Sequence, residues 1–144
     1  MLAQLLQERK DMALLIVRLA LGLIFLMYGW RHVTDLAGYT EAFVKWQIPF
    51  AHGVAPLVAW LEVLGGLAVL LGIFTRYSGL LLAIVMAVAT FVAKLPAGLA
   101  AGKDPLGLSR FWDIDFSLFA LGVVLLLMGP GKFALEQWLF KREL

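Results

Sequence analysis

Four stretches of about twenty mostly apolar residues, each interrupted by an ionisable side chain, govern what this chain can fold into. They cover 12–30 (MALLIVRLALGLIFLMYGW), about 55–74, 77–95 (YSGLLLAIVMAVATFVAKL) and 111–129 (FWDIDFSLFALGVVLLLMG). Each is long enough to cross a hydrocarbon core as a helix. Only 15% of the chain is charged and 62% is hydrophobic, whereas a soluble domain is about a quarter charged. The outer surface must therefore be apolar as well. The pattern predicts an all-α membrane protein, a four-transmembrane-helix bundle forming a single domain over 1–144. A strong breaker, GPG at 129–131, ends the fourth span, and FALEQWLFKREL then reads as a short C-terminal interfacial helix. The first span is too long for a signal-peptide core and lacks a small-residue cleavage site, so it is read as retained.

The connections differ. Residues 31–53 read as a long first loop with Pro49 and His52, Thr75 and Arg76 as a tight second one, and 96–110 as a Gly/Pro-rich third. An even number of spans puts both termini on one side, with Arg9, Lys10, Arg76, Lys132, Lys141 and Arg142. Arg31, Lys45, Lys94, Lys103 and Arg110 fall on the other. The basic pairs flanking both ends place the termini in the cytoplasm. A net charge of +2, scattered between apolar runs, leaves no nucleic-acid footprint. No cysteine is present, which excludes disulfide exchange within the chain, Fe–S ligation and Cys-type zinc sites. Any redox role then needs electrons carried by another group.

At helical spacing, the ionisable group of each span falls on the stripe that holds its small residues. Span one aligns Arg18, Gly22, Phe25, Gly29 and His32. Span two aligns Glu62, Gly65, Gly66, Val69 and Ile73. Span three aligns Ala83, Ala87, Thr90 and Lys94, and span four Asp115, Phe119, Gly122 and Gly129. Small residues let helices approach closely in lipid, and polar residues pair across them. An ionised group at a helix centre costs roughly 2.5–3.5 kcal/mol, so these groups must pair, reach water or neutralise. By helical rise, Glu62 lies roughly 10 Å below the outer end of its span and Arg18 about 9 Å inside the inner end of its own. Glu62, Lys94, Asp113, Asp115, Arg31 and His32 form one outer-half layer. Arg18 is the outlier, and it either snorkels to the inner headgroups or extends toward Glu62.

Several chemistries lack their motif. There is no HExxH and no paired histidine spacing for a metal, no intramembrane axial histidine for haem, and no nucleophile motif around Ser109 or Ser117. In WDID (112–115), Asp113 reads as a helix N-terminal charge and Asp115 as the deeper, small-face group. Spans one and three begin near Arg18 and Arg76, and spans two and four each carry an acid and a glycine further in, which hints at a repeated hairpin.

RLALGLIFLMYGWRH (18–32), LEVLGGLAVLLGIFTRYSGLLLAIVMA (61–87) and GPGKFALE (129–136) resemble the DoxX family of small bacterial membrane proteins. The most specific element is Glu62, Gly65, Gly66, Leu71, Gly72, Thr75 and Arg76, and the GPG terminator is the second. Family members often carry Lys where this chain has Arg31, which keeps the charge but changes the donor geometry. The resemblance implies four transmembrane helices in a bacterial inner membrane. It also implies work beside other subunits of membrane oxidoreductase systems, including quinone-reducing ones. The cysteine chemistry of similar four-helix redox proteins is not carried over.

Residues and resemblance together point to a quinone as ligand. Arg18 or Lys94 would donate to a carbonyl, Glu62 and Asp115 would relay protons, and Trp60, Trp112 and Phe119 would flank the ring, with Arg31 and His32 in the same layer. The partners are the lipid bilayer, further membrane or membrane-associated redox subunits and, as an open option, a second copy of the chain. Two alternatives remain at this point: a non-catalytic scaffold subunit whose charges only fix helix register, and a small transporter component.

Overall fold

A computed structural model describes residues 2–104 and 112–140, with side chains from Arg9 onward. Helix α1 covers Leu2–Thr34 without a proline to interrupt it, and ends with Arg31 and His32 in its last turn, where cations suit the helix dipole. Asp35 then caps α2 (Leu36–Lys45), its carboxylate accepting from Gly38 N at 3.1 Å. After a turn in which Gln47 and Phe50 both take positive φ, α3 runs over Ala51–Leu71 and stops at Gly72, φ 71°. Helix α4 (Thr75–Ala87) passes directly into a π-helical stretch, Val88–Lys94, and then into α5 (Leu95–Ala100). Helix α6 covers Asp113–Met128 and ends on Gly129, and α7 covers Leu135–Phe140.

Three of the described helices are long and apolar enough to cross a membrane: Arg9–Thr34, Ala51–Leu71 and Thr75–Ala100. The expected fourth span is a 16-residue helix, shorter than its expected 111–129, because Gly129 at φ 77° ends it and Trp112 is its N-cap. Phe111, where that span was expected to begin, lies outside the described residues, as do Ser109, Arg110, Lys141 and Arg142. The expected long first loop contains a helix, α2.

Helix α1 packs chiefly on α3, and α4 on α6. Lipid offers no hydrophobic force between helices, so close approach must supply the attraction. Glycines provide it. A methyl group placed on Gly66 would lie 2.9 Å from Leu26 N and 3.0 Å from Gly22 O, and one on Gly122 would lie 2.9 Å from Gly79 O. Leu21, Phe25, Val69, Leu82, Leu118 and Leu125 fill the space between the pairs. The outward faces are as apolar as the core: Ile16, Met27, Leu57, Leu64, Val92 and Leu127 are all more than half exposed. That distribution suits acyl chains and not water.

One end of the bundle is tied by polar groups. The Arg18 guanidinium donates to Val69 O and Leu70 O at 3.0 Å, to Phe133 O at 3.1 Å and to Pro130 O at 3.2 Å. It thus gives a donor to carbonyls of the last turn of α3, where Val69 O otherwise accepts only from Gly72 N at 3.2 Å, and clasps the GPG turn at the same time. Glu136 Oε2 accepts from Thr75 N at 3.1 Å, capping α4, and Glu136 N donates to Gly72 O at 3.0 Å. Asp11 Oδ1 accepts from Lys132 N at 3.2 Å. Helix α7 is therefore docked through a buried Glu136, while Trp138 stays 81% exposed on its far side.

Candidate functional site

The site is built at the other end, some 20 Å along α1 from Arg18 by helical rise. Gly29 brings the two backbones together there: a methyl on it would meet Val63 N at 2.7 Å. One turn further, His32 reaches the neighbouring residue, and its Nδ1 lies 2.6 Å from Glu62 Oε2. The Tyr39 hydroxyl donates to Glu62 Oε1 at 3.4 Å. Its ring stacks on the imidazole with centroids 3.8 Å apart and planes within 6°. Burial first, then the charge of Glu62 and its hydrogen bond, push the Tyr39 phenol far above its ordinary range, so it stays a donor. Asp115 adds a smaller electrostatic push in the same direction, which brings its charge into the same neighbourhood.

A second acid–base pair faces the same space. Lys94 Nζ lies 2.5 Å from Asp115 Oδ2. The approach is an ion pair without aligned hydrogen-bond geometry at that oxygen, a charge contact more than a directed bond. Lys94 closes the π-helical stretch, the kind of widened turn that recurs at functional sites. Thr90, one turn before it, is fully buried with no partner for its hydroxyl among the described residues.

Between the pairs lies a cavity of about 420 Å³, within the size range of small-ligand sites. His32, Glu62, Lys94 and Asp115 all line it. Asp113 lines it too, and its walls are otherwise apolar or aromatic: Phe25 and Tyr28 from α1, Phe43 from α2 and Trp46 from its C-cap, Val58 from α3 and Met86 from α4. The acids sit deep, with side chains 3% (Glu62) and 10% (Asp115) exposed, while the bases keep 24% (His32) and 34% (Lys94). Access therefore runs past the bases. With Nδ1 held by Glu62, Nε2 is the imidazole nitrogen left for a ligand. Two cationic or neutral N–H donors, each backed by a carboxylate, can grip oxygen acceptors and pass protons to them. Among the described residues no three imidazole or carboxylate groups gather as a metal site needs.

Not every expected site residue is here. Arg18 is held by four carbonyls at the opposite end. Its side chain leans toward the N-terminus of α1, as helical side chains do, so it reaches neither Glu62 nor the cavity. Arg31 is exposed, one residue off the His32 face. Trp60 is 48% exposed, on the outward side of α3. Trp112 and Phe119 join Phe116 in an aromatic row, with centroids 5.8 and 6.1 Å from it, and do not line the cavity. In their place the cavity uses Tyr39 and Phe43 from α2 and Trp46 at its C-cap, which sequence reasoning missed. Their spacing behind Asp35, a helix-capping residue, is the signal that would have found them.

The DoxX family model matches residues 13–95. Curated relatives include the inner membrane protein YqjF of Escherichia coli, 26% identical over 136 residues, covering 94% of this chain and 98% of YqjF. The membrane protein Rv3486 of Mycobacterium tuberculosis is 33% identical over 147 residues, covering 96% and 88%. The "Putative oxidoreductase CatD" of Bacillus subtilis is 28% identical over 131 residues, covering 91% and 90%. No solved structure gives a significant match.

Proposed function

We propose that this chain, which belongs to the DoxX family, is an integral membrane subunit of a quinone-linked oxidoreductase system and holds a quinone headgroup in its cavity. The observation that carries this reading is the pair of acid–base couples, His32–Glu62 and Lys94–Asp115, facing one apolar, aromatic-walled space. A quinone ring is flat and apolar with oxygen acceptors at its edge, which suits both the walls and the donors. The oxidoreductase in the name of the relative CatD supports the same class.

In this role His32 Nε2 and Lys94 Nζ donate to ring oxygens. Glu62 and Asp115 orient those donors and return protons to them. Reducing a quinone to a quinol takes two electrons and two protons. The chain supplies proton-bearing groups, and with no cysteine of its own it receives electrons from a redox partner protein at the membrane. Helix α6 completes a fourth, short crossing. Both termini and the Arg18 end face the cytoplasm, and the cavity lies in the outer half of a bacterial inner membrane. Titrating purified protein with a short-chain quinone tests the reading, because Trp46 lines the cavity and reports occupancy by quenching. Saturable quenching that weakens in Glu62→Gln and Lys94→Met is expected. No saturable change in the wild-type protein would sink it.

A scaffold role is the second reading, favoured by the Arg18 end, where Asp11, Arg18 and Glu136 all serve to tie segments together. Under that reading Glu62→Gln and Lys94→Met change thermal stability and leave quinone titrations and partner activity untouched.

A further inference from the structure

The chain builds the same device twice. The first unit is α1, α2, α3 and Gly72, and the second is α4 with its π-helical stretch, α5, α6 and Gly129. In the first, Arg18 from the opening helix donates to Val69 O and Leu70 O in the last turn of α3. In the second, Arg76 from the opening helix donates to Leu126 O at 2.9 Å and Leu127 O at 3.1 Å in the last turn of α6. About one turn after each arginine comes a glycine, Gly22 or Gly79, whose added methyl would press on the carbonyl of Gly66 or Gly122 at 2.8 or 2.9 Å. Near its far end each opening helix carries a base, and the closing helix carries the acid it meets: His32 with Glu62, Lys94 with Asp115. Each closing helix then stops on a glycine of positive φ, 71° and 77°.

Arginine cap, glycine contact, acid–base pair and glycine stop recur in the same spatial order in both units. The units differ in their connection: α2 stands between the two long helices of the first, whereas α5 continues the opening helix of the second without a break. The repeat is in the placement of chemistry more than in residue identity: histidine answers to lysine and glutamate to aspartate. Membrane proteins made of repeated units put their ligand sites between the units, and here each unit contributes one acid–base pair to the wall of one cavity.

We propose that the cavity takes a ligand with two polar ends, one for the acid–base pair of each unit. This rests on the quinone reading and narrows it: the ring is a para-dicarbonyl whose two oxygens are met by different units, one by the His32 imidazole and the other by the Lys94 ammonium. A ring with one oxygen satisfies one pair only and leaves the other donor with its own carboxylate alone, an unmade charge-assisted hydrogen bond to the ligand. Sites that supply a hydrogen-bonding partner discriminate against analogues lacking the matching group.

The test compares a short-chain 1,4-benzoquinone with a ring of the same size and substitution carrying a single carbonyl. The full-length protein is used in detergent, following Trp46 quenching and, for the single carbonyl, displacement of the quinone. The dicarbonyl is expected to bind roughly 10- to 100-fold more tightly, the loss of one charge-assisted hydrogen bond. Glu62→Gln and Asp115→Asn should each weaken the dicarbonyl, and only one of them should weaken the single carbonyl. If both ligands bind alike while the quinone still saturates, the two-ended site is overturned and the quinone reading survives. If neither ligand binds, both fall. Should a variant not fold, the comparison of the two ligands on the wild-type protein decides by itself.

Discussion

Glu62 holds His32 by Nδ1, at 2.6 Å, and so decides which face of the imidazole a ligand meets. In the proposed site glutamate is the positioning group and histidine the contacting one, a division that the sequence alone left undrawn. Glu62→Gln keeps the shape but exchanges an acceptor oxygen or a charge for an amide. Quinone affinity should fall about 10-fold, as expected for loss of a hydrogen bond to a charged group, with helix content by circular dichroism unchanged. Unaltered affinity in a folded variant would remove Glu62 from the site.

Tyr39 lies outside the three candidate spans, on α2, and its phenol is raised by burial and by Glu62. A free tyrosine ionises near pH 10. The folded protein therefore holds this proton more tightly than the unfolded chain does. The resulting stability is fully present below about pH 10 and is lost as pH climbs above that value. Alkaline titration at 295 nm, wild type against Tyr39→Phe, should show the missing tyrosinate step displaced above pH 10. A step at or below that value would contradict the placement of Tyr39 against Glu62.

Lys94 and Asp115 should behave as a unit. Lys94→Met leaves a carboxylate that is 10% exposed without its cation. The cost should be about 1–3 kcal/mol, below the fully buried figure because Lys94 retains 34% exposure. Adding Asp115→Leu should recover most of it. Thermal unfolding of both single variants and the double in one detergent closes the cycle, and strict additivity would mean the pair does not interact.

The glycine contacts give a clean contrast. Gly66→Ala presses a methyl on Leu26 N and Gly22 O and should cost about 1–3 kcal/mol by overpacking. Gly53→Ala, in the same helix with nothing within 4 Å of an added methyl, should be neutral or stabilise by up to about 1 kcal/mol through helix propensity. Comparable unfolding temperatures would contradict the close approach of α1 and α3.

Arg18→Met should destabilise by about 3–5 kcal/mol, because it takes the guanidinium from the carbonyls of Leu70, Pro130 and Phe133 and from Glu136, and leaves Val69 O with Gly72 N alone. Arg18→Lys should recover only part, since one ammonium cannot span four acceptors as a planar fork does. Where either variant folds, quinone titration should match wild type, which separates the tied end from the cavity.

Three of the four expected spans, and the four groups that line the cavity, were legible because a charge inside an apolar run has few explanations. Tyr39 was not, since a tyrosine in a stretch read as loop looks ordinary until α2 folds it over His32. Arg18 was read with two directions open, toward the near end of its span or toward Glu62, and only the first is taken: spacing gives depth, and the lean of helical side chains gives direction. Glu136 and Asp11 lay outside the apolar runs, where charges attract no notice, yet both are buried by the docking of the C-terminal segment. Nothing in VATFVAK announces the π-helical stretch, because backbone registers of neighbouring width have similar residue preferences.

That widened stretch makes the register of Lys94 a counted quantity. Between Val88 and Lys94 the chain bonds one residue further back than an α-helix does, as Leu95 N does to Thr90 O. Removing a single residue there would let the rod tighten to ordinary winding. The residue lost and the turn regained, each about 100°, would nearly cancel, so Lys94 would go on facing Asp115. The ion pair is thus an outcome of arithmetic along the backbone as much as of side-chain identity. A one-codon deletion earlier in α4, with the widened stretch kept, would instead turn Lys94 about 100° off Asp115 and leave every charged residue in the protein.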